Sequence, residues 1–413
     1  MADKGNIKES MLMGLLMVTE LSGFMRKHML GASGITLGLV LLGAMSLWMS
    51  AQSGSSALSH GTPEFKSSDF IPVSSHFYER LPTYDDALSG SAHVPADQAI
   101  VQTTIRGAGA NFPVKKCMNM GHSFEADPEG SWGYQLEPWH FRAIREAGFD
   151  TVRLPIKWDS RTDNRPPYRI NPRFMTRIIE VVKSADASGL GVIIDVHNYE
   201  GLIENPKRET AKFKAIWHQI SRAFAGAPAH IYFELINEPT NISRMEDINQ
   251  LYAQIIPIIR EIHPTRPLII GGNHWNSVET METVNWNLDP YLVATFHDYG
   301  PHEFTHQGAF WEDNPPPMGR RWGGAPDIAE LEDTYKIAKR FQDRFGIPVF
   351  VGEFGVIEDV PMSERVRWTK ARRQAIERAG FSWCAWDFAG GFETYNLAAR
   401  NWHPGMRDAL TGR

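Results

Sequence analysis

The sequence predicts a (β/α)8 TIM barrel of the α/β class, and three observations carry that reading. Eight short apolar runs, rich in β-branched and aromatic residues, alternate with stretches of 3.6-residue period from residue 115 onward. The alternation occupies residues 106–413, a length that suits one large barrel of about 250 residues or more. Two of the runs stop on a glutamate, as expected of parallel strands that all open on one rim. A doubly wound open sheet is the alternative architecture.

The elements follow in order. Residues 1–53 read as a signal peptide or signal anchor: Arg26, Lys27 and His28 precede the uncharged stretch 29–48, and an A-x-S pattern follows at Ala51 to Ser53. The apolar stretch is long enough to span a bilayer if it is retained, while its glycines and serines favour cleavage. Met25 is an alternative start. The expectation is export, secreted or periplasmic, with membrane attachment through residues 29–48 only if that segment stays. Residues 54–105 are rich in Ser, Gly, Pro and Ala without periodicity and read as a linker or N-terminal arm.

The eight candidate strands are KCMNMG (from 116), TVRLPI (151), GVIIDVH (191), IYFELIN (231), PLIIGG (267), LVATFH (292), PVFVGE (348) and SWCAWDF (382). Helical patterns such as PWHFRAIREAG, PRFMTRIIEVVKSADASG, AKFKAIWHQISRAFAG and MSERVRWTKARRQAIERAG lie between them, several closed by glycine. Strand and helix are expected to alternate eight times.

A hydrophobic content of 42% with 22% charged residues excludes a chain that is disordered throughout. Residues 1–53 hold Lys4, Lys8, Arg26 and Lys27 against Asp3, Glu9 and Glu20, so the whole-chain charge of −6 becomes −7 without them. No basic stripe remains to attract nucleic acid. The 13 tryptophans exceed what a core usually wants and suit a groove that stacks on flat ligands. Cys117 and Cys384 lie inside apolar runs and are expected as buried thiols, with a bridge as the alternative for an exported pair. No Cys/His group is seen with zinc-ligand spacing.

The chemistry lies at the strand ends. YFELINEPT (232–240) delivers Glu238 after the fourth strand, and PVFVGEFGV (348–356) delivers Glu353 at the end of the seventh, between glycines. One acid before proline is an ordinary way to leave a sheet; two, on strands that face each other across a barrel mouth, can flank one bond. Carboxyl groups about 5 Å apart suit glycoside cleavage with retention, and a wider gap suits inversion. Arg153, read as the end of the second strand, would keep one glutamate ionised, and burial would keep the other protonated. Asn237 is of the right type to bond a sugar hydroxyl. His197, His297, Tyr299 and Trp386 also fall at strand ends, and Trp275, Trp286, Trp311 and Trp386 are candidate sugar platforms. Any one of these taken alone is as readily a core or rim residue. Glu234, in mid-strand, reads as a buried partner for an arginine, and Asp195 and Asp298 remain open.

INEP and GEFG, together with TVRLPIKW, VHNY, FHDY and AWDF, resemble glycoside hydrolase family 5, retaining barrel enzymes that cut β-linked glucans and mannans. NMGHSFEADPEGSWG, EAGFDTVRLPIKW and HEFTHQGAFW resemble its bacterial endoglucanase branch. The resemblance covers about residues 105–411. It implies Glu238 as acid/base, Glu353 as nucleophile, Arg153 and Tyr299 as the groups that hold the nucleophile, and His297 beside the acid/base. His197, Asn237 and Trp386 match further site positions. His122 stands where relatives usually carry Asn, Asn198 where many have a second His, and Asp298 where Tyr is frequent; all three are placed on the glycone side of the cleft. The implied protein is a monomeric endo-β-1,4-glucanase acting on β-linked polysaccharide without metal or organic cofactor. A β-mannanase, a non-catalytic glycan-binding barrel and a metal-dependent barrel hydrolase are the alternatives.

Overall fold

The structure, a computed structural model, describes residues 109–240 and 243–412. The export segment and linker expected over 1–105 lie outside the described residues.

Eight parallel strands pair in chain order, and the last returns to the first, which closes the sheet into a barrel. They are β1 (Lys116–Asn119), β2 (Thr151–Ile156), β3 (Gly191–Val196), β4 (Ile231–Glu234), β5 (Leu268–Ile270), β6 (Leu292–His297), β7 (Val349–Glu353) and β8 (Ser382–Ala385). The β1–β8 pairing excludes the open-sheet alternative.

Helices α1 (Pro138–Ala147), α2 (Pro172–Ala187), α3 (Pro206–Ala223) and α4 (Met245–Arg260) follow the first four strands. α5 (Ala325–Phe345), α6 (Met362–Ala379) and α7 (Met406–Thr411) follow the last three. Several starts use proline, whose missing N–H costs nothing in a first turn, and α1 and α6 stop on left-handed Gly148 and Gly380. The eightfold alternation breaks once. Between β5 and β6 the outer layer is built from short turns at Asn273–Asn276, Val278–Thr283 and Trp286–Leu288. Trp286 fills this layer, buried edge-on against Phe341 with its indole N–H donated to the Met281 carbonyl. It is therefore a packing residue and not the sugar platform expected.

Period-two alternation sorts the barrel interior into storeys. One inward set, Cys117, Ile193, Tyr232, Ile269, Val293, Phe350 and Cys384, packs as an apolar floor capped from below by Phe112. Two residues further along several strands the same face presents Asn119, Arg153, Asp195, Glu234 and Thr295, all buried. The outward sets face the helices in the main core. The floor also corrects the expectation of free thiols. Cys117 and Cys384 lie in register across β1 and β8 and form a disulfide at the seam where the barrel closes.

Candidate active site

Arg153 organises the polar storey. It lies in the middle of β2, not at its end, because the inward face of that strand reaches the site two residues above the floor. Its guanidinium donates to Glu234 at 2.7 and 3.0 Å, to Glu353 Oε1 at 2.7 Å, to Asn119 Oδ1 at 2.9 Å and to Asn237 Oδ1 at 2.8 Å. Asp195 Oδ2 lies 2.9 Å away. Glu234 is thus the arginine partner the sequence suggested, and Asp195 joins it. Burial pushes the Asp195 carboxyl up to about 7, against the pull of Arg153.

Glu353 ends β7 and accepts a second bond, from the Tyr299 hydroxyl at 2.8 Å. Glu238 lies four residues beyond the end of β4, in the loop, and its Oε1 meets His297 Nδ1 at 2.6 Å. Donor atoms of Glu238, His297 and Glu353 all lie within 4.8 Å of one another. The two carboxyls thus face one small space.

Both carboxyls are raised. Burial drives Glu238 up to about 8, with the Arg153 charge opposing. Glu353 also moves up through burial, held back by His297 and Arg153. Arg153 therefore does not bring Glu353 below the ordinary carboxylate range: the residue is 4% exposed, and burial penalises its charge more than the close donors favour it.

His197 Nδ1 bonds Asp195 Oδ2 at 2.6 Å, and its ring stacks on Trp386, centroids 5.6 Å apart and 6° from parallel. Asn237 Nδ2 approaches His197 Nε2 at 3.4 Å. Trp275 and Trp311 are half exposed on the rim. The Trp275 amide donates to the Pro239 carbonyl, one residue past Glu238, and Trp311 packs beside Phe392, which itself touches Tyr299. His122 adopts a left-handed backbone with φ of 64°, accepts from the Gly391 amide and lies edge-on to exposed Trp132. Asn198 is also left-handed, beside His197, and its carbonyl accepts from the Lys157 ammonium.

Asp298 does not reach the cleft. It is buried just past the end of β6 and turned to the outer helices, bonded to the Tyr335 hydroxyl of α5 and to Arg372 of α6 at 3.1 Å. Sequence reasoning missed Glu125, which is buried, accepts the His122 amide at 2.6 Å and sits 3.6 Å from His197 Nε2. It missed Asn119 and Trp132 as well. Nothing in the spacing marks Glu125 or Trp132, whereas Asn119 shares the inward parity of Cys117 and was legible.

Among the described residues two groups of three bring potential metal ligands together: Glu238, His297 and Glu353, and separately His302, His306 and Glu312. The second group sets two histidines four residues apart beside a glutamate.

A family model described as Cellulase (glycosyl hydrolase family 5) matches residues 107–391. The chain belongs to glycosyl hydrolase family 5. Endoglucanase H of Acetivibrio thermocellus is 34% identical over 269 residues, 65% of this chain and 29% of that protein, so the chain spans less than a third of that relative's length. A solved endoglucanase is 35% identical with a TM-score of 0.71, covering 73% of this chain and 97% of that one. A Thermotoga maritima endoglucanase solved with mannotriose is 32% identical with a TM-score of 0.70, covering 72% and 97%. As in (β/α)8 barrels generally, the polar storey lies under the loops that follow the strands.

Proposed function

We propose that this chain is a retaining, endo-acting hydrolase of β-1,4-glucan, with Glu353 as nucleophile and Glu238 as acid/base. The observation that carries it is the approach of Glu238 and Glu353 within 4.8 Å. Facing oxygens this close favour direct attack by one carboxylate, for which the carboxyl groups stand about 5–5.5 Å apart, over the wider gap of about 6.5–9.5 Å that admits a water.

The geometry supports a division of labour. Arg153 and Tyr299 bond opposite oxygens of Glu353 and aim it at the anomeric carbon. Its attack expels the leaving oxygen, to which Glu238 gives its proton; the elevated affinity of Glu238 keeps that proton available near neutral pH. Glu238, now ionised, takes a proton from water as the water attacks the glycosyl-enzyme and frees Glu353. His297 holds Glu238 in place. Asn237 would bond the 2-hydroxyl of the reacting sugar, Trp386 would underlie the ring, and Trp275, Trp311, His122, His197 and Asn198 would line neighbouring sugar positions.

Similarity to endoglucanases supports glucan as substrate. The mannotriose complex of one structural relative favours mannan as a second reading. Parallel hydrolysis of soluble glucan and mannan separates them, and a kcat/KM higher on mannan would displace the first. For the nucleophile, Glu353→Ala should lose several orders of magnitude in rate, and azide should restore part of it as a glycosyl azide of inverted configuration. Full activity in that variant would remove Glu353 from the role.

We further propose that the chain works outside the cytosol. The leader pattern of residues 1–53 and the Cys117–Cys384 disulfide both support export. A mature N-terminus near residues 52–58 in a soluble fraction is the expected outcome; recovery in membranes with residues 29–48 intact would instead mean anchoring.

A further inference from the structure

His302 and His306 stand four residues apart in the pattern His-Glu-x-x-His, on and just after the helical turn His302–Thr305 that follows β6. Their rings stack with centroids 4.4 Å apart. The chain then loops outward through exposed Phe310 and Trp311 and returns Glu312, whose Oε1 lies 3.0 Å from His302 Nε2. The three donor atoms lie within 4.8 Å of one another.

The tautomer of His306 is fixed by its neighbours. The Thr305 hydroxyl donates its one proton to the Tyr299 carbonyl at 2.6 Å, so its oxygen is left to accept from His306 Nδ1–H at 2.9 Å. In the neutral imidazole this leaves the lone pair on Nε2. Metal-binding imidazoles usually donate their other N–H to an oxygen acceptor, most often a carboxylate, a backbone carbonyl or water, and the Thr305 hydroxyl takes that place here. Tyr299 and Phe392, at 5.1 and 5.3 Å between centroids, hold the ring from the other sides.

We propose that His302, His306 and Glu312 bind a divalent transition-metal ion of the zinc class, which clasps the loop bearing Trp311 to the turn after β6. Two imidazoles and a carboxylate form a common zinc set, with a fourth position for water. Donors around tetrahedral zinc lie about 3.3 Å apart, so the widest pair has at most about 1.5 Å to close. His302 and Glu312, with side chains 53% and 25% exposed, have that freedom, while His306 is already held. Glu303 points to solvent from a single helical turn, so the ion acts as a clasp and not as a second hydrolytic centre. The proposal stands independently of the glycosidase reading.

The test is calorimetric titration of Zn2+ into the metal-free full chain at neutral pH, with a thermal melt alongside. One ion per chain and a raised Tm are expected. His302→Ala and Glu312→Gln, both at accessible side chains, should each weaken binding at least about tenfold and abolish the Tm rise. Glu353→Gln should leave Zn2+ binding unchanged, which separates this site from the Glu238–His297–Glu353 group. No uptake of Zn2+, or uptake that Glu353→Gln removes and His302→Ala leaves intact, would overturn the proposal.

Discussion

Arg153 shows how a single buried charge can set a whole site. One guanidinium faces Asp195, Glu234 and Glu353, so the storey keeps excess negative charge, and protons are held there more tightly than in water. That excess and the burial predict the pH profile on glucan. Activity requires Glu238 protonated and Glu353 ionised, so kcat/KM should fall above about pH 8 as Glu238 deprotonates. It should fall on the acid side at a pH above that of an ordinary glutamate, because the Glu353 carboxyl is raised. Glu238→Ala should flatten the basic limb on a dinitrophenyl cellobioside, whose leaving group needs no proton, while hydrolysis of glucan stalls. Equal loss on both substrates with the basic limb kept would show that Glu238 is not the acid. The two glutamates were legible because each ends a strand-like run; the direction of the Glu353 shift was not, because it depends on how completely the folded loops exclude water.

At the scale of elements, the strands were readable as runs of β-branched residues, but a detail of their register was not. β6 and β7 slip between Phe296 and His297, so His297 pairs with Glu353 where regular pairing would bring Gly352. Bulges of this kind re-aim side chains: Phe350 belongs to the inward floor, so regular alternation would turn Gly352 inward and Glu353 outward, and the extra residue on β7 is what brings Glu353 to Arg153 and beside His297. The glycines around Glu353 make the approach feasible. A Cβ on Gly352 would sit 2.7 Å from Thr295 Oγ1 and 2.9 Å from His297 Nε2, and one on Gly355 would strike the Trp386 carbonyl. Gly352→Ala should therefore displace His297, destabilise the fold by about 1–3 kcal/mol and lower kcat by about 10–100-fold. A melt and a rate assay check both, and a variant with wild-type kcat would mean that His297 does not position Glu238. The missing helix between β5 and β6 was hidden for a related reason: buried Trp286 and Met281 have the apolarity of a helix face, while the backbone there makes only 3-10 turns.

For the molecule as a whole, the disulfide is the constraint that sequence could least reveal. Cys117 and Cys384 are 267 residues apart, and only closure of β8 on β1 brings them into register. Cross-linking so long a loop removes much of the freedom of the unfolded chain, and the entropic argument places the stabilisation beyond the upper end of the usual range, about 5–6 kcal/mol. The bond lies in the apolar floor, beneath the storey that holds Arg153 and Glu353, so it should affect folding far more than chemistry. Replacing both cysteines by alanine should lower Tm by about 5–10 °C while kcat at moderate temperature stays near wild type. Reductant should lower the Tm of the wild-type protein in the same direction and leave the double variant unmoved, which separates loss of the bond from loss of the sulfur atoms' packing. Under non-reducing conditions neither thiol should react with an alkylating agent after unfolding. Two thiols alkylated per unfolded chain from oxidised culture medium, with a Tm indifferent to reductant, would mean that the barrel seam is held by strand pairing and packing alone.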